Sequence, residues 1–475
     1  ALTETLRKKW EAYYEDVVVL AFPTPADEKK IKNIDEKALY YRAPYTSREG
    51  VKPYLRTHAD YQEISGAAVD KSKIVDLTDK FNSDGILDWE VPAGNWTIMR
   101  FGKRNNGAVT RPAPAPGLGF ECDKFDTIAF NAHFDEYIGK LIQKVGPRKK
   151  GVNGGWTMIH FDSWEMGAQN WTGKFRQEFQ KRRGYDPMSF LPAYSGYIVG
   201  SLELSERFLW DIRQTSQELV IENHAGHFKK LGRRHGFKFS IEPYDMNPTS
   251  DLDLGAVADV PMCEFWTKGF GFNSSFSCVE ATSIAHVHGL PVVAAEAFTA
   301  GSKEAWKKYP GNVKNQGDWA FCIGINKFVY HTFAHKPLGE DYRPGMTMGP
   351  YGVHWDRGQT WWSMSSAYHR YVTRCQYVLR QGRTVADILY LTPEGAPHVF
   401  RPPVSALEGD EVLPDKRGYN FDGCSPLALI EKAGVENNKI VFPGGASYSI
   451  MVLPNFQTMT PELLEKIESL VKMGA

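Results

Sequence analysis

Between residues 156 and 335 short apolar runs alternate with longer amphipathic stretches, and no other feature restricts the fold as much. The runs are WTMIHFDS (156–163), FKFSIEPY (237–244), VPMCEFW (260–266), LPVVAAEAF (290–298) and NKFVYHTFAH (326–335). Helical segments such as SCVEATSIAHVHG (277–289) separate most of them. Strands that alternate with helices imply a parallel sheet. Roughly 230 residues of this pattern, with acids at several strand ends, suit a TIM-like (β/α) barrel. The run YEDVVVLAFP (14–23) reads as one more buried strand and brings the count to about six, with others placed before residue 1.

The rest of the chain divides around that core. Residues 1–27 are expected to supply a barrel strand, and 28–110 an inserted, β-sandwich-like domain with a VPAGNW turn between strand-like runs. RPAPAPGLG (111–119) holds too much Pro and Gly for a helix and reads as a loop opening the barrel segment, 111–383. Within it, helices are expected over 125–145 and much of 172–235, the latter capped by Gly236. From 384 to 475 the pattern restarts with VADILYL, SPLALIEKAG, KIVFPGG, YSIMVLP and TPELLEKIESLVKMG, the first part of a flavodoxin-like α/β domain. The chain starts at Ala1 and stops on a helix end, LVKMGA, so it reads as a piece of a longer polypeptide. A leader would then lie upstream, and a periplasmic or secreted location is expected.

Composition narrows the function. Fifty-six Lys+Arg balance 56 Asp+Glu, which argues against a nucleic-acid or membrane-surface partner. No apolar stretch reaches the length of a membrane span. Thirteen Trp and 22 Tyr suit pockets where rings stack on sugar faces, and equally suit ordinary cores. Six Cys without a CxxC or a tight cluster disfavour a zinc or disulfide scaffold; Cys263 and Cys322 lie in apolar runs and read as buried free thiols. Cys424, in FDGCSP, lacks the preceding strand that a nucleophile elbow needs. The HVHG and HTFAH histidines are not spaced for a metal site.

Barrel chemistry sits at the C-terminal ends of strands. Here those ends carry His160, Asp162 and Glu165, then Glu242 and Asp245, then Glu264, then Glu296, then His331 and His335. Any one acid could be a structural ion pair. Four strands each delivering a carboxylate to one rim weaken that reading. Two carboxylates across a ring-lined pocket are what glycosidic cleavage requires, one as proton donor and one ionised. Glu165 follows Trp164, whose apolar ring should favour the protonated form, so Glu165 suits the donor. Glu296 ends an apolar strand and suits the second role. Asp162, Asn170, Glu242 and Glu264 are of the type that binds calcium, without any recognisable loop spacing. Asn170 and Trp171, and the ring-rich GVHWDRGQTWW (352–362) with His354 and Trp355, read as sugar contacts; a helix-start role for Asn170 stays open.

Taken together, HFDSWEMGAQNWT, RPAPAPGLGFECDKF, VVAAEAFT and HWDRGQTWW resemble glycoside hydrolase family 106, the α-L-rhamnosidases, and the downstream VADILYL and MVLPNFQTMTPELLEKIESLV do so as well. The resemblance implies a barrel with an inserted β domain, then a flavodoxin-like domain and further sandwiches. It implies an inverting, calcium-dependent hydrolase of rhamnose-containing glycans. It further implies that Glu165 is the general acid, Glu296 the general base and Asp162 a supporting carboxylate. The resemblance places no calcium ligands; from the residues alone, His160, Trp164 and Glu242 are expected beside the sugar, and Glu264 with Glu242 are the metal candidates. A retaining β-glycosidase and a non-catalytic carbohydrate-binding protein are the competing readings.

Overall fold

The computed structural model describes residues 3–475 except 28, 43–60, 62–64, 111–112, 114–116, 246, 269–273, 344, 350 and 457. Parts of the 28–110 segment and of the 111–119 loop therefore lie outside the described residues.

The apolar run near the N-terminus does not join the barrel. Strand β1 (Glu15–Pro23) is the middle of a three-stranded antiparallel sheet, between β2 (Val75–Asp76) and β3 (Trp96–Lys103). Both faces of β1 are buried, which is why its sequence looks like a parallel barrel strand. Val18 and Leu20 pack into the main core, while Val19 and Ala21 join Leu77, Trp89 and Trp96 on the other side.

Five parallel strands follow in spatial and chain order: β4 (Met158–Phe161), β5 (Lys238–Ile241), β6 (Val260–Trp266), β7 (Ala294–Thr299) and β8 (Lys327–Tyr330). Among the described residues β4 and β8 are edges, so the sheet is a curled half-barrel of five strands where about six barrel strands were expected. Helices cover its outer face. Ile159, Phe239, Cys263, Phe265, Ala295 and Ala297 point outward into two large apolar clusters. Helix α1 (Leu202–Leu219) buries Arg213 completely, and its guanidinium donates to the carbonyls of Lys37 and Ala396, which ties three distant segments together.

Helix α2 (Ser275–His288) is buried along nearly its whole length, because it lies between the half-barrel and the C-terminal unit. That unit holds a parallel sheet in the order β10 (Phe421–Cys424), β9 (Ile388–Leu391), β11 (Ile450–Val452). The KIVFPGG segment is not part of it; Lys439–Val441 belongs to a separate antiparallel sheet. Strand β10 was not anticipated, since FDGC carries little apolar signal. Cys424 at its end is buried, which pushes its thiol well above the usual range, so it makes no accessible nucleophile. Cys263 is buried as expected, whereas Cys322 is exposed.

Candidate active site

Alternation along the five strands decides what faces the concave side. Going up each strand, the inward residues are Met158 and His160, Lys238 and Ser240, Val260 and Met262, Val292 and Ala294, and Lys327 and Val329. One step further the column becomes polar on every strand: Asp162, Glu242, Glu264, Glu296 and His331. Glu264 and Glu296 are direct register partners on adjacent strands. Four carboxylates and an imidazole thus share one rim.

Glu242 is the most enclosed of them, at 3% exposure, and its Oε1 has no hydrogen-bond partner among the described residues. Burial, then the charges of Asp162 and Glu296, push its carboxyl well above the usual carboxylate range. Glu264 moves the same way, through burial first and then Glu296, with a hydrogen bond from Trp266 opposing. Glu296 is pushed up to about 7, mainly by burial and further by Asp162 and Glu165, while its hydrogen bond from Thr299 pulls it down. The Nε2 of His331 lies 3.9 Å from Glu296 Oε1.

The Thr299 contact depends on a bulge. Register slips between β6 and β7 so that Phe265 faces Ala297 but Trp266 faces Thr299. The extra residue, Phe298, has φ 65° and turns fully into the helix-side core. Thr299, three residues after Glu296, would otherwise point outward; the bulge re-aims its hydroxyl at the Glu296 carboxylate.

On β4 the carboxylates sit differently. Asp162 and Glu165 are both exposed to the concavity. The Ser163 hydroxyl donates to Glu165 Oε1 at 3.3 Å. Trp164 is buried at 8% exposure, packs toward His224, and donates its indole N–H to the Gly167 carbonyl. Its ring therefore does not enclose Glu165, and the acids that burial acts on are Glu242, Glu264 and Glu296. His160 Nδ1 is 2.8 Å from the Ser240 hydroxyl. Its imidazole is held below its ordinary value first by the protein packed around it, although the open concavity leaves it reachable by water.

Several expected sugar contacts also have partners within the fold. Trp171 stacks 4.7 Å from Phe175 and also meets Tyr194 in the core. The Asn170 amide donates to the Ala38 carbonyl, which binds the N-terminal segment to this loop. Trp355 is 1% exposed and lies between Tyr330 and Tyr368. His354 is equally buried, with φ 58°, and stacks 4.0 Å from the half-exposed Trp306; neither of its ring nitrogens has a hydrogen-bond partner among the described residues. Trp306, Thr299 and Ser240 were not singled out from sequence. No motif marks Trp306, and Thr299 is on the wrong face by strand alternation.

For a cation, the described residues offer one close set: donor atoms of His160, Asp162 and Glu242 lie within 4.8 Å of one another. Glu264, the other expected ligand, is not in it. Two carboxylates, one with an unpartnered buried oxygen, fit a hard cation such as calcium; an imidazole is a poor ligand for it.

Acids at four strand ends of a half-barrel, one of them poised near neutral pH, form the type of site found in glycoside hydrolases. The α-L-rhamnosidase family model matches residues 3–475, and the chain belongs to that family, glycoside hydrolase family 106. A rhamnosidase structure from Novosphingobium sp. PP1Y superposes with a TM-score of 0.79 at 30% identity, over 94% of this chain and 42% of that one. A Formosa agariphila protein named "Putative beta-glucuronidase" is 38% identical over 98% of this chain. The chain spans 37% of the length of that curated relative.

Proposed function

We propose that this chain carries the catalytic centre of an inverting α-L-rhamnosidase, with Glu165 as general acid and Glu296 as general base. The observation that carries the reading is the setting of Glu296: a rim carboxylate near 7, held by Thr299 and faced by the charge of Glu165. A general base works best when its pKa is close to the working pH. Glu296 takes a proton from a water whose oxygen attacks the anomeric carbon. The bond to the leaving oxygen breaks as Glu165, at the open mouth, gives that oxygen its proton. The hydroxyl arrives on the opposite face, so the anomeric configuration inverts. Asp162 and Glu242 would hold a calcium ion, which when bound would stabilise their ionised forms and orient sugar hydroxyls. Rhamnose-containing plant polysaccharides or glycosides are the proposed substrates.

The second reading follows from the relative's name, a β-glucuronidase. Charge disfavours it here, because a uronate carboxylate would add to the charges of Asp162 and Glu296 at a rim where Glu242 and Glu264 are already driven toward their neutral forms. Full-length protein assayed on an aryl α-L-rhamnoside and an aryl β-D-glucuronide separates the two. Release from the rhamnoside alone, lost by orders of magnitude in Glu165→Gln and Glu296→Gln, is expected. Release from the glucuronide alone overturns the proposal.

A further inference from the structure

The opposite end of the half-barrel has the reverse chemistry. Below the layer of His160 and Ser240, the strand starts enclose a cavity of about 470 Å³. It is lined by Arg148, His235, Lys238, Lys327 and Arg380 together with Trp156, Met158, Val260 and Val292; among the described residues no Asp or Glu lines it. Lys238 and Lys327 are inward residues by strand alternation, on the same strands that present Glu242 and His331 at the far rim. A chain of zero net charge is thus polarised along the sheet, acidic at one mouth and basic at the other.

These cations lack counterions. Among the described residues Arg148, Lys238 and Lys327 form no ion pair. Arg380 directs Nε and Nη2 to the Asn326 carbonyl, at 2.9 and 2.5 Å, which orients the guanidinium without neutralising it. Lys327 is half-buried. Its ammonium is held below its ordinary value by burial first, then by the charges of Arg380 and Lys238. Cations that repel one another around a hollow, two of them partly buried, favour an anion between them. A planar guanidinium and two flexible ammoniums match a tetrahedral oxyanion, which accepts from several directions at once.

We propose that the strand-start mouth of the half-barrel is a binding site for a tetrahedral oxyanion of the phosphate or sulfate type, held by Lys238, Lys327 and Arg380. The site opens on the other side of the His160 layer from the acid rim, near enough for the Lys327 charge to act on His160, and does not depend on the sugar that the rim takes. Its ligand is either the free ion or the charged group of a sugar ester, whose ring would use the remaining volume beside Trp156.

The test is calorimetric titration of the full-length protein with inorganic phosphate and, separately, glucose 6-phosphate, at ionic strength fixed with sodium chloride. Saturable binding is expected, weakened at least tenfold in Lys327→Met and in Lys238→Met, with hydrolysis at the other mouth unchanged in Lys238→Met. Tighter binding of the ester identifies a sugar ester as the ligand, and tighter binding of phosphate identifies the free ion. Lys238 is exposed, so Lys238→Met is expected to fold normally even if the change at Lys327 perturbs packing. Lys327→Met should also melt no lower than wild type in phosphate-free buffer, because it removes an enclosed cation. Absence of saturable binding to wild type, or affinity unchanged in both variants, overturns the proposal.

Discussion

Replacing Thr299 with Val tests how the fold tunes Glu296. The side chain is 2% exposed, and Val occupies nearly the same volume, so the main change is loss of the hydroxyl that donates to the carboxylate. A hydrogen bond to a charged group contributes about 1.5–3 kcal/mol. At about 1.4 kcal/mol per unit, its loss raises the Glu296 pKa by roughly 1–2 units. The starting value is about 7, so the variant should titrate at roughly 8–9. A base acts when deprotonated, so the acidic limb of kcat/KM moves upward with it. At pH 7 the basic fraction falls from about a half to between roughly 1 and 10%, and kcat/KM drops about 5- to 50-fold. Activity should recover toward wild type above the new limb. The assay is the pH profile of kcat/KM on an aryl α-L-rhamnoside with full-length protein. A limb that stays where wild type has it, with activity lowered equally at every pH, would show that Thr299 does not set the titration of the base.

Glu296→Gln should stabilise the fold at pH 8, because the folded pKa of about 7 exceeds the ordinary 4.5 by 7 − 4.5 = 2.5 units. The folded state binds the extra proton between those values, so stability falls as pH rises through that window, by on the order of 3 kcal/mol. Denaturant midpoints in chelator should therefore diverge from wild type at pH 8 and converge at pH 4; an equal gap at both refutes the sign. Calcium should raise the melting temperature of the chelator-treated wild type and of Glu264→Gln but not of Glu242→Gln, and the same rise in all three would remove Glu242 from the ligand set. Gly289→Ala places a Cβ about 2.5 Å from the Cα of Gly444, at φ +68°, where α2 meets the C-terminal unit. It should cost more than about 1 kcal/mol in chemical denaturation, and a neutral result would mean that this contact is not close in solution.

The sequence revealed the parallel strands because their apolar runs are short, punctuated and followed by acids. It put Asp162, Glu242, Glu264 and Glu296 at the C-terminal ends of four strands, and those four strands lie side by side in the half-barrel. What it could not reveal was which apolar surroundings belong to which carboxylate. Trp164 adjoins Glu165 in sequence yet turns its ring into the core, while Glu242 is enclosed by strands distant in sequence. The same limit applies to β1, whose apolar run is buried by two different cores, and to Trp355, an aromatic in a Gly-rich loop that the loop folds inward. Thr299 was hidden for another reason: a single left-handed residue, Phe298, reverses the face on which it lies.

The account rests on a single displacement between Glu165 and Glu296. Proton NMR of the first turnover of an aryl α-L-rhamnoside by the full-length protein reads it directly. The β-anomer of rhamnose should appear first and then mutarotate. Appearance of the α-anomer first would contradict the account, because it requires a covalent intermediate that a general base at Glu296 does not form.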